Sequence, residues 1–262
     1  MQIKRHSNHN SYLSALSYHP FFIRNIMNEY TEIADYYDLF ITSGYYDYEK
    51  MATAIATLIS PTQTILEVGV GTGLLLEKLL KIDSQYNLAG MDHTPAMLKI
   101  AKKRLGDHVK LFEADIVSMS TSNQFDIAIS NGGLCAFVDT GSECDFYTHL
   151  PDDESNVQAL QNVANSLHQG GLFLINIQGV HDNYEKPLPR GIVYSQEVID
   201  SPTYTDCIDK TFYFKRDNRL LAQMQLTYRI FKGEAIEELF NQAGFKSQGK
   251  DESGQLFIYA KK

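Results

Sequence analysis

The feature that most constrains this chain is the run Ile65-Leu66-Glu67-Val68-Gly69-Val70-Gly71-Thr72-Gly73, followed at once by the leucine-rich stretch Leu74 to Leu80. A strand that turns sharply into a helix while its backbone comes within van der Waals reach of a ligand has no room for side chains, and glycine permits this. The rest of the chain supplies the matching frame. Strand-like runs at Ile65 to Val68, Leu88 to Met91, Val109 to Phe112, Phe125 to Ile129 and Leu172 to Ile177 alternate with helical patterns such as Leu74 to Leu80 and Ala96 to Leu105. Nearly continuous apolar strands separated by helices predict an α/β fold with a doubly wound, mostly parallel sheet covered on both faces.

Four segments follow from the patterning. Over 1–50, aromatics accumulate and Ile26, Tyr30, Ile33 and Tyr37 recur near the helical period, which predicts a helical cap. Residues 51–180 hold the predicted core; its helix before the fifth strand starts at Asp152-Asp153-Glu154, carries its apolar stripe over Val157 to Leu167 and stops at Gly170-Gly171. Between 181 and 232 the period changes to two: Leu220, Ala222, Met224, Leu226, Tyr228 and Ile230 alternate with more polar neighbours, and Arg216 to Asn218 makes a turn back to Thr211 to Phe214. That predicts an antiparallel β insertion after the fifth strand. Residues 233–262 complete the core with a helix, Glu234 to Gln242, ended by Gly244, and a strand, Gln255 to Ala260.

Composition excludes several partners. The 262 residues are 44% hydrophobic, so a sizeable core is expected, and the formal net charge is −9. The densest basic stretch, Lys99, Lys102, Lys103 and Arg104, falls beside Met97, Leu98, Ala101 and Leu105 at helical spacing, the wet side of an amphipathic helix. Nucleic acid is therefore not expected as a partner. No apolar run approaches the roughly 18 residues of a membrane helix, so no membrane association is expected either. Cys135, Cys144 and Cys207 show neither CxxC pairing nor zinc-ligand spacing. A reducing, cytoplasmic location fits that usage.

Glycine spacing then discriminates between ligands. Dinucleotide folds use GxGxxG to seat a pyrophosphate on a helix N-terminus, whereas this loop is GxGxG with Glu67 before it. A carboxylate there is poorly placed for phosphate and suits a positively charged ligand. Asp92, ending Gly90-Met91-Asp92, stands where an acid accepts hydrogen bonds from both ribose hydroxyls. Ala114-Asp115-Ile116 and Ser130-Asn131-Gly132-Gly133 follow the third and fourth strands, at the carboxyl ends where such sheets bind ligands.

Together these residues resemble the class I S-adenosylmethionine-dependent methyltransferase family, over roughly residues 30 to 260. Its fifth-strand entry is similar to Leu167-His168-Gln169-Gly170-Gly171-Leu172-Phe173, with His168-Gln169 in place of the commoner Lys-Pro. The resemblance implies S-adenosylmethionine as cofactor. It puts Gly69, Gly71 and Gly73 near the methionine portion, Glu67 and the Asn131 backbone carbonyl at the ammonium, and Asp92 at the ribose, with His93 also among the cofactor-binding residues. Met97 and Ile116 would pack on the adenine, Asp115 would accept from its amino group, and Tyr30 and Tyr37 would cover the sulfonium through their ring faces. Core packing is the alternative role for both tyrosines. Ser130-Asn131 lacks the metal-binding aspartate of the catechol-type members, so no metal is expected.

Methyl transfer from a sulfonium is an in-line displacement in which the protein aligns donor and acceptor and excludes water. A base is needed only where the acceptor must lose a proton, and His181 and His149 are the candidates. The aromatic insertion, with Tyr194, Tyr204, Phe212, Tyr213, Phe214, Tyr228 and Phe231, forms either a roof over a hydrophobic or ring-containing acceptor or a dimer face. The expected function is N- or O-methylation of a small molecule, of natural-product tailoring type, by a monomer or homodimer. An NAD(P)-dependent oxidoreductase and an inert relative that only binds the cofactor are the alternatives.

Overall fold

The computed structural model describes residues 30–120 and 122–262, so the helical expectation for residues 1–29, Ile26 included, lies outside the described residues. The first half comprises α1 (Ala34–Ile41), α2 (Tyr48–Ala56), β1 (Thr64–Val68), α3 (Leu74–Ile82), β2 (Asn87–Asp92), α4 (Pro95–Leu105), β3 (Lys110–Glu113) and β4 (Phe125–Ser130). There follow β5 (Cys135–Asp139), β6 (Cys144–Thr148), α5 (Asp153–Ser166), β7 (Leu167–Gln178), β8 (Tyr184–Leu188), β9 (Ile192–Asp200), β10 (Cys207–Arg216), β11 (Arg219–Phe231), α6 (Glu234–Gln242), β12 (Phe245–Lys250) and β13 (Leu256–Lys261).

The parallel part runs β3-β2-β1-β4-β7, and β13 then β12 extend it antiparallel from β7. Alternation along β1 divides the interior: Ile65 joins a core with α1 to α4, while Leu66 and Val68 join one with α5 and α6. Parallel strands buried on both faces are what the continuous apolar runs required.

The expected antiparallel insertion is present but begins earlier in the chain. β5 takes up parallel pairing at the far end of β7, through Phe137 with Ile177 and Val138 with Gln178, and β6 continues antiparallel to β11, β10, β9 and β8. β5 and β6 precede α5, so the curled antiparallel half is built from two distant parts of the chain. α5 ends at Ser166, and Gly170 and Gly171 lie within β7 beside an irregularity in its pairing with β4 rather than stopping the helix directly.

The cap, the roof and the parallel sheet share one core. Phe40 of α1 stacks on Tyr194 of β9 at 3.9 Å between ring centroids, and Tyr36 stacks on Phe214 of β10 at 5.4 Å. Asp38 ties α1 to the glycine loop: it accepts from Thr72 Oγ1 at 2.6 Å and pairs with Arg104, whose guanidinium also donates to the Thr72 carbonyl. Among the described residues no helix is long and apolar enough to cross a membrane, and the three cysteines are free thiols.

Candidate active site

The glycine loop is held shut by contacts that a side chain would break. Gly69 has φ +76°, and a Cβ there would lie 2.5 Å from the Cα of Gly133, in the loop after β4. The Gly69 and Val70 amides donate to the Met91 carbonyl at 2.9 and 2.8 Å. Asp92 receives the Gly71 amide on Oδ2 and the Thr94 amide on Oδ1, both at 2.8 Å, so its carboxylate is fixed by the loop it faces.

Gly73 differs from its expected role. It caps the start of α3, and a Cβ there would meet Leu105 Cδ1 at 2.7 Å, so its task is to let α3 and α4 pack rather than to approach a ligand. Met97 also departs from expectation: it is 1% exposed on the inner side of α4 and is absent from the cleft wall, where Ile116 faces the space instead.

The cleft beside the carboxyl ends of β1, β2 and β3 has a volume of about 690 Å³. Gly69, Asp92, His93, Asp115 and Ile116 line it, with Tyr30 and His149 on the opposite wall. One oxygen of Asp115 accepts the Val117 amide at 2.9 Å. Beneath the loop, Glu67 is 3% exposed and its Oε2 has no hydrogen-bond partner; Asn131 Oδ1 is also buried without one. Burial holds the Glu67 carboxyl well above the usual carboxylate range, and Asp92 adds to the effect. The Glu67 oxygen near the end of β1 and the Asn131 oxygen just after β4 are each left without a protein donor, which is compatible with a ligand that brings a cationic N–H donor, as the ammonium of S-adenosylmethionine does.

A second, narrow pocket of about 30 Å³ adjoins the first, and Tyr30 and His149 line both. Its other walls include Tyr37, Tyr46, Tyr147, His181 and Tyr228. His181 presents its ring to Tyr147 and Tyr228 edge-on, with centroids at 5.2 and 5.0 Å, and His149 does the same to Tyr228 at 4.8 Å. The Gln178 amide nitrogen donates to His181 Nε2 at 3.1 Å, and Tyr46 donates its hydroxyl to the Gln178 oxygen. Burial pushes His181 down to about 3 and His149 to about 4, assisted at His181 by Lys210 and at His149 by His93 and Lys210. Both are neutral imidazoles near pH 7, and their low basicity makes them weak proton acceptors.

The structure thus brings Tyr30, Tyr37, His149 and His181 to one pocket and Gly69, Asp92, His93, Asp115 and Ile116 to the other, with Glu67 below. Residues the sequence reading missed are Tyr46, Tyr147, Gln178 and Lys210. Lys210 on β10 is 1% exposed, and its Nζ donates to Tyr45 Oη at 3.2 Å. Its parity with buried Phe212 and Phe214 is the signal that could have found it. Among the described residues no group of three or more His, Cys, Asp or Glu side chains is gathered as metal ligands would be.

Comparison with known proteins supports this geometry. Residues 65–171 match the family described as methyltransferase domain. A malonyl-[acyl-carrier protein] O-methyltransferase of Anoxybacillus flavithermus is 35% identical over 108 residues, which is 40% of this chain and 40% of that protein. The fold is shared with DesVI of Streptomyces venezuelae, at TM-score 0.61 and 22% identity over 87% of this chain and 98% of the other. It is shared too with SAM-bound CalS10, an amino pentose methyltransferase of Micromonospora echinaspora, at TM-score 0.59 and 17% identity over 86% and 96% of the two chains. The matched stretch lies across the glycine loop, Asp92 and Asp115, so residues 65–171 are similar to a methyltransferase domain.

Proposed function

We propose that this chain is an enzyme that moves the methyl group of S-adenosylmethionine to a nitrogen or oxygen of a small hydrophobic or ring-containing molecule. The observation that carries this reading is the pair of cavities meeting at Tyr30 and His149: one is rich in carboxylates at the sheet's carboxyl edge, and the other is lined by phenols and neutral imidazoles. Bound cofactor supplies an activated methyl on a sulfonium. The chain's residues hold and align: Asp92 takes the ribose hydroxyls, Asp115 and Ile116 take the adenine, and Glu67 with Asn131 takes the ammonium. Tyr30 and Tyr37 cover the sulfonium, and the aromatic walls exclude water around the acceptor. His149 and His181 orient the acceptor as neutral hydrogen-bonding groups. Among the compared structures, the amino pentose methyltransferase is named for calicheamicin biosynthesis, which agrees with a ring-bearing acceptor and natural-product tailoring.

Calorimetric titration with S-adenosylmethionine, S-adenosylhomocysteine and NADH tests the reading. Micromolar binding of the two sulfur nucleosides is expected, weakened by about 2 kcal/mol or more in Asp92→Ala. Binding of NADH alone would overturn it. A panel of amines and phenols, followed by S-adenosylhomocysteine release, then identifies the acceptor class.

A further inference from the structure

Lys210 is a buried amine with no acidic partner among the described residues. Its Nζ lies 3.2 Å from Tyr45 Oη, 4.7 Å from the centre of the Phe212 ring and 5.3 Å from that of Tyr45. No carboxylate pairs with it among the described residues, whereas the partly buried Arg104 and Arg229 are each paired with aspartates or glutamate. The adjacent Asp209 is turned to the opposite face of β10, where Thr227 donates to it at 2.7 Å. Tyr45 itself is on the wall of the aromatic pocket, with Lys210 behind it.

We propose that Tyr45 and Lys210 act as a proton-accepting pair for the methyl acceptor, the phenol passing the proton and the amine keeping it. The inference rests on the methyltransferase reading above. The acceptor atom bonds the methyl carbon as the carbon–sulfur bond breaks and its electron pair stays on sulfur. The proton leaving the acceptor passes to Tyr45 Oη while the Tyr45 proton passes to the lone pair of Lys210 Nζ. No oxidant or further reactant is required, and the resulting ammonium donates back to Tyr45, the direction of the bond observed. When the product leaves, the proton returns through Tyr45 to water.

The surroundings favour this cycle. Tyr46 and Tyr184 flank Tyr45 electrostatically, and His181 and His149 feel Lys210 from the other walls; none of these is an anion near pH 7. Burial alone pushes the Lys210 amine down to about 7, so a neutral, basic form is present at working pH. Burial also holds the Tyr45 phenol well above its ordinary value, so a standing phenolate is disfavoured and one proton leaves as another arrives. His181 and His149, at about 3 and 4, hold a proton far less well than Lys210.

Two measurements on the full chain test the pair. In protein labelled with ¹⁵N-lysine, the Nζ resonance missing from Lys210→Met should titrate with a midpoint near 7 and move in Tyr45→Phe; a midpoint near the ordinary 10.5 overturns the proposal. With an amine or phenol found to be methylated, turnover should rise with pH along a limb of the same midpoint. Lys210→Met should lower kcat by about 10²-fold or more and abolish that limb, with S-adenosylhomocysteine affinity unchanged and Lys210→Arg giving no rescue. An unchanged limb overturns the pair. Failure of S-adenosylhomocysteine to bind the natural chain instead defeats the methyltransferase reading, while the Nζ titration judges the pair independently.

Discussion

The carboxylate-lined cleft and the aromatic pocket meet at Tyr30 and His149, yet they are made differently. The cleft carries Asp92, Glu113 and Asp115 on its wall with Glu67 beneath, and its glycine loop is one continuous strand–turn–helix. The pocket has no acidic side chain on its wall, and it is assembled from α1, the loop before α2, β6, the end of β7 and the β10–β11 hairpin. The difference teaches how two adjoining cavities of one fold acquire opposite electrostatic character. Acidic groups gathered on local turns stabilise positive charge, while burial among rings keeps the imidazoles neutral and lowers the basicity of the amine.

If the cleft depends on backbone approach, its glycines should be the least tolerant positions. Gly69→Ala combines a positive φ with a backbone contact at 2.5 Å to Gly133. It should cost about 3 kcal/mol or more in denaturant unfolding and abolish S-adenosylhomocysteine binding. Near-natural stability and affinity would show that the loop opens freely and would erase the contrast.

The pocket should reveal itself through pH instead. The folded values of His149 and His181, about 4 and 3, lie below the ordinary 6.5, so the unfolded chain binds more protons between them. Their contribution is fully present above pH 6.5 and is lost as pH falls toward 4 and then 3. Urea unfolding from pH 7 to 4 should show a loss on the order of 2 kcal/mol assignable to His149, flattened in His149→Gln. Equal slopes in both proteins would mean that the imidazole is solvated.

The smallest effect sharpens the comparison by showing that part of the roof is locally specified. Asp217 and Asn218 both have positive φ, 48° and 61°, in the two-residue turn between β10 and β11. Asn218→Gly should raise stability by about 0.5 kcal/mol, seen as a higher Tm with unchanged cofactor binding.

Much of the cleft was legible because its signals are local. Strands β1 to β4, the glycine loop, Asp92 and Asp115 each follow from residues a few positions apart. The hairpin of β10 and β11 was equally legible from its period and its turn. β12 pairs with the adjacent β13 but was not, because its stretch holds Gly249 and alternates with polar residues; β5 with β6 were not, because β7 and β11 pair with them from far along the chain. Gly73 shows the limit within the loop itself: the same glycine pattern serves a ligand at one position and helix packing at another, and only Leu105 across the interface tells them apart.

The sequence by itself determined the α/β class, the glycine loop with its flanking acids and the aromatic character of the antiparallel insertion, since periodicity and turn chemistry act over short spans. Tertiary structure decided which phenols meet which imidazoles and that α1 is braced through Asp38 to the cofactor loop. It also decided that Lys210 lies in the interior beside Tyr45. Those facts depend on desolvation, and desolvation is set by what distant segments place around a side chain rather than by its neighbours in the chain.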